Sequence, residues 1–401
     1  MNIKFSPPDI TDSEINEVVS CLKSGWITTG PRTKEFEKRI SSYSNTRKTV
    51  CLASATACLI NCLRVLGIKE GDEVITTAYT YTATANVIAR VGAKIVLCDT
   101  QKDSVELDYE KLETLITKNT KAIIPVDIAG KICDYDKIKK IIEDKKGLYA
   151  PSTPMQVNLG RIAIIADGAH SFGAIRSGVK SGNFADFTCF SFHAVKNLTT
   201  AEGGAVTFNE LGNCNLDEVY KTFMLYSLMG QDKDALKKSQ AGSWEYDILL
   251  MGDKCNMTDI SASIGLKQLG RYDEILKRRR EIITRYNEIL KGENITSLTH
   301  FDGDNISSGH LYLTRVKGIN EETRNRIIVK MAEKGIATNV HYKPLPLLTA
   351  YKNLGFKIED YPNAYDYYKN EITLPLHTLL TDEEVDYVAK TYKEIVEGEL
   401  C

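Results

Sequence analysis

The sequence lacks nearly everything that marks a specialised class of protein. It has no cysteine pattern: ten cysteines are spread through 401 residues, none of them in a C-x-x-C pair. The nearest two, Cys58 and Cys62, share one apolar run. Such spacing makes neither a zinc ribbon nor a disulfide framework, and scattered thiols fit a reducing compartment. It has no excess of either charge. Lys and Arg number 51 against 53 Asp and Glu, a formal net charge of −2, which argues against a nucleic-acid partner. No apolar run approaches the roughly 18 to 20 residues that cross a bilayer. The opening MNIKFSPPDITDSEI lacks the h-region of a secretory signal, so the expectation is a cytoplasmic chain without membrane association. Repeats and low-complexity tracts are also missing. What remains is 43% hydrophobic and 26% charged, an ordinary globular composition, at a length that suits one large unit or two domains.

What is present is a rhythm. Short apolar runs at Asp72–Thr76, Lys94–Cys98, Ala122–Val126 and Arg161–Ala166 read as buried strands. Between them, Leu52–Leu66, Tyr81–Val91, Tyr109–Ile116 and Tyr135–Glu143 have helical periodicity. Strands alternating with helices imply right-handed crossovers and a mostly parallel α/β sheet covered on both faces. Phe187–Ser191 and Gly204–Phe208 add two strand-like pieces. After Asp259 the texture becomes α+β, with a charged amphipathic helix over Arg271–Lys291, a strand at His310–Val316 and helices near Glu321–Lys334 and after Thr381. A boundary near Arg271 divides the chain into a large domain over 1–270 and a smaller α+β domain over 271–401. Lys146–Leu159 and Met229–Lys254 read as long loops, which in compact domains usually serve function or an interface.

The run RIAIIA ends in Asp167, where ligands of a parallel sheet gather; taken alone, a strand-end Asp equally suits a helix cap. Phe190–Gly204 then reads FSFHAVKNLTTAEGG. A lysine held beside a glycine-rich turn after a buried strand is a candidate amine nucleophile. A Schiff-base lysine and an Asp facing a pyridinium nitrogen are the protein's share of pyridoxal phosphate chemistry. Ala53–Ala57 opens an apolar helix whose first N–H groups suit a phosphate, although an ordinary capped helix reads the same way. Tyr79 and Tyr81, just past a strand, are candidates to stack on a ring or simply core aromatics. Gly203 and Gly204 are expected to let backbone approach the lysine. His193 reads mainly as a core residue, and His170 with His193 lacks the neighbours of a metal site. The KRRRE run reads as a solvated helix face.

The segments Trp26–Gly30 (WITTG), Ser54–Thr56, Thr80–Asn86 (TYTATAN), Asp167–His170 (DGAH), Ser191–Gly204 and Asn256–Asp259 (NMTD) together resemble the DegT/DnrJ/EryC1/StrS family. The resemblance runs from WITTG to the closing LPLHTLLTDEEV. It implies a fold-type I pyridoxal 5'-phosphate (PLP) enzyme that aminates nucleotide-linked keto-sugars, cycling through the pyridoxamine (PMP) form with L-glutamate as donor. Carried over residue by residue, Lys196 is the Schiff-base lysine and acid–base, and Asp167 pairs with the ring nitrogen. His170 lies near the phenolic oxygen and Tyr81 covers the ring. Ala55, Thr56 and Ser191 hold the phosphate, which Asn256 reaches from the neighbouring subunit of a homodimer. Thr28, Thr29, His341 and Tyr342 fall in the sugar-nucleotide pocket. No metal is implied. Asp127 stands where many members have His, and the Met229–Lys254 segment occurs in only part of the family. Within the family a PLP- or PMP-dependent sugar dehydratase is the near alternative, disfavoured because Lys196 is kept. A non-catalytic PLP-binding regulator is the alternative of another class.

Overall fold

The computed structural model describes residues 1–233, 244–303 and 305–401. Its main sheet contains β1 (Lys48–Leu52), β2 (Glu73–Thr77), β3 (Lys94–Cys98), β4 (Thr120–Ile124) and β5 (Ala163–Asp167). After a short hairpin of β6 (Ile175–Arg176) and β7 (Val179–Lys180) come β8 (Phe187–Ser191) and β9 (Gly204–Phe208). The order is β1-β9-β8-β5-β4-β2-β3. β9 is antiparallel to both its neighbours and every other pairing is parallel.

The strands are rich in apolar residues because both sheet faces are covered. In β5, Ala163 and Ile165 enter one core while Ile164 and Ala166 enter another on the opposite face. Four helices of the first hundred residues matter for the site: α1 (Asp12–Lys23), α2 (Pro31–Ser44), α3 (Ala55–Val65) and α4 (Thr82–Arg90). The first two precede every helix expected from periodicity. A capping box does mark the start of α1, where Thr11 and Glu14 exchange side-chain and backbone bonds. Pro31 opens α2 at a position where its missing N–H costs nothing.

β1 is a further difference. The apolar pattern of KTVCL runs straight into that of the next helix, so periodicity placed Leu52 in the helix. The chain turns instead at Ser54, whose extended backbone and hydroxyl cap α3. The expected loop Lys146–Leu159 contains a short helix, Pro154–Leu159, capped by Thr153. Bridges Leu228↔Lys254 and Gln231↔Ile248 tie the ends of the second loop together. Part of that reading, including Ala241 to Ser243 of AGSWEY, lies outside the described residues.

β10 (Ile295–Ser297) joins a three-stranded antiparallel sheet, order β10-β13-β14, while β11 (Phe301–Asp302) and β12 (Asn305–Ile306) extend the β6–β7 hairpin. β13 (Tyr312–Val316) pairs with β14 (Glu371–Leu374). Helices Tyr272–Ile289, Glu321–Glu333 and Asp382–Leu400 supply Ile282, Tyr286, Ile327 and Tyr392 to a core shared with Tyr312 and Ile372. The KRRRE face is not wholly solvated. Arg279 is buried and donates to the carbonyls of Gly309 (2.9 Å) and Leu376 (3.1 Å). No helix among the described residues is long and apolar enough to cross a membrane.

One buried carboxylate joins segments more than two hundred residues apart. Asp259 opens the helix Asp259–Gly270 and accepts from Gly30 N (2.8 Å), Arg32 N (3.1 Å), Thr33 N (2.9 Å) and Thr33 Oγ1 (2.7 Å). It therefore caps α2 from outside. Asp259→Ala leaves those donors buried and unpaired, and the expected loss is about 3 kcal/mol or more. Urea unfolding should show a lower midpoint for Asp259→Ala; an unchanged midpoint would contradict this role.

Candidate functional site

Parallel strands end together, so β1, β5 and β8 deliver their C-terminal residues to one sheet edge, and the reversed β9 begins there. Ser54, Asp167, Ser191 and Gly203 accordingly line one cavity of about 490 Å³. The helix α3 starts at the edge of that cavity. Its first three N–H groups lack intrahelical acceptors, and Ser54 Oγ takes the third, from Ala57, at 3.1 Å. The N–H groups of Ala55 and Thr56 remain for a ligand. This approach depends on Gly204: a Cβ there would stand 2.5 Å from Ala55 N and 2.8 Å from Phe190 O. Gly204 thus serves the start of α3, while Gly203 packs against Thr200 and Met257 and lines the same cavity as Lys196.

Lys196 sits on the loop joining β8 to β9. Phe192 ties the loop at its base: its N–H donates to Gly203 O (2.9 Å) and its carbonyl accepts from Thr200 N (2.8 Å). Its ring is buried against Phe36 and Phe172. The backbone of Lys196 turns back on His193 O at 2.9 Å, and its side chain faces the cavity half-buried. No acceptor among the described residues hydrogen-bonds its ammonium. Desolvation pulls the amine down to about 8, with Asp167 acting in the opposite direction.

Asp167 is buried, and burial raises its pKa despite hydrogen bonds from Thr84 Oγ1 (2.7 Å) and Ala169 N (3.2 Å) and the nearby charge of Lys196. A carboxylate so placed is stabilised by a cation in the cavity. His170 receives Ala129 N–H on Nδ1 at 3.2 Å, and its Nε2 lies 3.2 Å from Tyr342 Oη. Burial first and Lys196 second hold His170 well below its ordinary pKa and bring His341 down to about 3. Lys196 is thus surrounded by neutral imidazoles.

Nine of the twelve site residues expected from the sequence line the cavity: Ala55, Thr56, Tyr81, Asp167, His170, Ser191, Lys196, His341 and Tyr342. Tyr81 caps α4 and is 60% exposed, its ring 6.2 Å from that of Tyr342. Tyr79, its rival, is buried and donates to His341 O at 2.6 Å. The other three, Thr28, Thr29 and Asn256, stand apart from this chain's own cavity. Asn256 Nδ2 donates to Thr29 Oγ1 (2.5 Å), and the Thr28 carbonyl accepts from Asp259 N (3.2 Å). His193 is half-exposed on the rim, 3.5 Å from Glu202, which departs from the core reading. No group of three or more His, Cys, Asp or Glu able to hold a metal ion occurs among the described residues.

Sequence reasoning missed the support layer. Glu371 is buried and accepts from His341 N (2.9 Å) and Thr373 Oγ1 (2.5 Å), and desolvation raises it to about 8. Asn197, next to the lysine, places its Oδ1 2.9 Å from His310 Nδ1. These residues come from elements that meet only in the fold. The one local signal was Thr84, within the TYTATAN motif.

A model of the DegT/DnrJ/EryC1/StrS aminotransferase family matches residues 8–393. The PMP-bound structure of a sugar aminotransferase from Streptococcus pneumoniae is 56% identical with a TM-score of 0.97, covering 99% of this chain and 100% of that one. Its PLP form is 54% identical, with a TM-score of 0.96 and full coverage of both chains. A Helicobacter pylori aminotransferase involved in the biosynthesis of pseudoaminic acid is 27% identical, with a TM-score of 0.87 over 99% and 100% of the two chains. Among sequences, the UDP-4-amino-4-deoxy-L-arabinose–oxoglutarate aminotransferase of Shewanella sediminis is 33% identical over 99% of each chain.

In cofactor-free protein, the rate at which trinitrobenzenesulfonate labels Lys196 should rise with pH about a midpoint near 8. Because Asp167 favours the charged amine, Asp167→Asn should move that midpoint lower. Peptide mass spectrometry across a pH series reads both, and a midpoint near the ordinary lysine value of 10.5 would remove the basis for a desolvated amine.

Proposed function

Because the chain belongs to the DegT/DnrJ/EryC1/StrS aminotransferase family and is a PLP-dependent sugar aminotransferase, we propose that it transfers the amino group of L-glutamate to a nucleotide-linked keto-sugar. A 4-keto-6-deoxy hexose is the preferred acceptor. The observation that carries the reading is one cavity holding a depressed lysine amine, a buried strand-end carboxylate and a capped helix start. The choice of donor is supported by the Shewanella relative, which carries oxoglutarate, the keto form of glutamate, in its name.

The residues fit the cofactor. When bound, it supplies an electron sink that stabilises negative charge at the carbon undergoing amination. The Ala55 and Thr56 N–H groups and the Ser191 hydroxyl would hold its phosphate at the positive end of α3. Asp167 would accept a hydrogen bond from the protonated ring nitrogen, restoring the cationic partner its burial calls for. Tyr81 would cover one ring face. Lys196 Nζ would carry the proton to and from the substrate carbon. An amine near 8 is close to neutrality, where a group both gives and takes protons efficiently.

We propose further that the working unit is a homodimer in which Asn256, Thr28 and Thr29 serve the partner's cavity. Two observations support this: those three side chains stand outside their own chain's cavity, and large apolar side chains such as Trp244 (79% exposed) and Met251 (91% exposed) lie bare on the surface.

Glutamate alone should shift the cofactor's absorbance from its lysine-bound to its amine form, and a keto-sugar nucleotide should reverse the change. No response to any amino donor would sink the aminotransferase reading. Lys196→Ala should lose turnover while keeping its fold by circular dichroism. Mixing inactive Lys196→Ala with impaired Asn256→Ala should restore activity, since mixed dimers contain one intact site. A mixture no more active than its parts would argue against a shared site.

A further inference from the structure

Asp127 has no part in the roles assigned so far, yet it is among the most connected carboxylates near the cavity. It is buried, with Oδ1 accepting from Cys133 N (3.0 Å) and Tyr135 Oη (3.1 Å) and Oδ2 accepting from Ser171 Oγ (2.8 Å). Its own N–H donates to Asp167 O at 3.0 Å. It thereby fastens the turn Ile128–Gly130 to the residue that follows His170.

That turn is bent to a purpose. Ala129 has φ +57°, a left-handed conformation uncommon for a residue with a side chain. Its N–H reaches His170 Nδ1 at 3.2 Å and its carbonyl accepts from His310 N at 3.1 Å. At Gly130 a side chain would collide with Ser308 Oγ and stand 2.9 Å from the His170 carbonyl. Ser308 Oγ itself donates to that carbonyl. The turn is therefore wedged between the His170 strand-end loop and the Ser308 segment, with no room to shift.

A backbone amide can only donate. The nitrogen it meets must present a lone pair, so a neutral His170 carries its hydrogen on Nε2. Nε2 faces the cavity, 3.2 Å from Tyr342 Oη. A doubly protonated ring would set N–H against N–H in a buried site beside Lys196, which is costly. The ring of His310 lies 4.3 Å away with the opposite assignment. Its Nδ1 faces Asn197 Oδ1, while Asn197 Nδ2 is spent on Ser308 O at 2.9 Å, so His310 carries its hydrogen on Nδ1.

We propose that Asp127 and the Ile128–Gly130 turn form a tautomer lock on His170, fixing it as the neutral Nε2–H form that offers the cavity a hydrogen-bond donor and never a base. Asp127 is a positioning residue for the reaction. The use of the donor, to hold an anionic oxygen of the bound cofactor, rests on the reading above; the lock does not.

The test is ring ¹⁵N–¹H correlation NMR on cofactor-free protein near neutral pH. The chain has six histidines, and loss of one signal set in His170→Gln identifies His170. The expected spectrum has His170 as Nε2–H and His310 as Nδ1–H. Asp127→Ala should mix the tautomers of His170 and lower kcat roughly tenfold or more, with little change in KM, as misplacement of a positioned group does. Asp127→Asn keeps an acceptor for Cys133 and Tyr135, and its amide can donate to Ser171 Oγ. It should retain Nε2–H and recover most of that loss. Nδ1–H or doubly protonated His170 in the unaltered protein overturns the lock, as does an unmixed Nε2–H signal in Asp127→Ala. If Asp127→Ala does not fold, the unaltered protein and Asp127→Asn decide. A locked spectrum in a protein whose cofactor ignores every amino donor would leave the lock standing and remove only the functional reading.

Discussion

Six of the seven strands in the main sheet run the same way, and that one directional constraint decides where chemistry can happen. Parallel strands joined by right-handed crossovers must finish at a common edge. Residues as far apart in sequence as Ser54 and Ser191 meet there because β1 and β8 end there. The reversed β9 adds something the parallel strands could not. It begins at the same edge, so the loop between β8 and β9 is short, tied at Phe192, and able to hold a lysine over the sheet's end. A longer crossover would have left the amine on a mobile stalk in water.

The electrostatics follow from that placement. One amine faces the cavity among imidazoles that burial keeps neutral, and its counter-charge is a carboxylate that burial disfavours as an anion. Each group is held away from its solution preference by its own burial, and the charge of the other offsets part of that shift. A ligand bringing a phosphate and a protonated ring nitrogen would meet the free N–H groups of α3 and the carboxylate of Asp167 together. Perturbed groups gathered in one cleft are the usual mark of a working site.

Much of this was legible in the sequence, for a reason that also fixes its limit. The strands at Lys94–Cys98, Phe187–Ser191 and Gly204–Phe208 could be read to the residue because each is a short, mostly apolar and buried run. β1 could not, since nothing in KTVCLASATACL separates a buried strand from a buried helix except the cap at Ser54. Lys196 and Asp167 stood out because their segments combine strand, turn and an unusual residue locally. Glu371 and Asn197 did not, and Asp127 was marked only as a departure from the family pattern, with no role attached. Their partners lie on other elements, and a buried carboxylate looks like any other Asp or Glu until its neighbours are known. Of the glycines after Thr199, Gly203 lines the cavity with Lys196 as its segment implied, while Gly204 makes room for α3, a contact with no trace in local spacing. The KRRRE helix failed similarly at Arg279, whose carbonyl acceptors come from the Gly309 and Leu376 segments.

The capping of α2 by Asp259 bears on how such a protein can be re-engineered. The WITTG segment and the NMTD segment look like separate motifs, yet they share a buried ionic group and cannot be exchanged singly. A chimera that replaces the NMTD segment without Asp259 would leave the buried N–H groups of Gly30 and Thr33 and the Thr33 hydroxyl without their acceptor. The transplantable module is therefore discontinuous. Its two halves must be moved as a matched pair, together with the turn that lets Asn256 rest on Thr29.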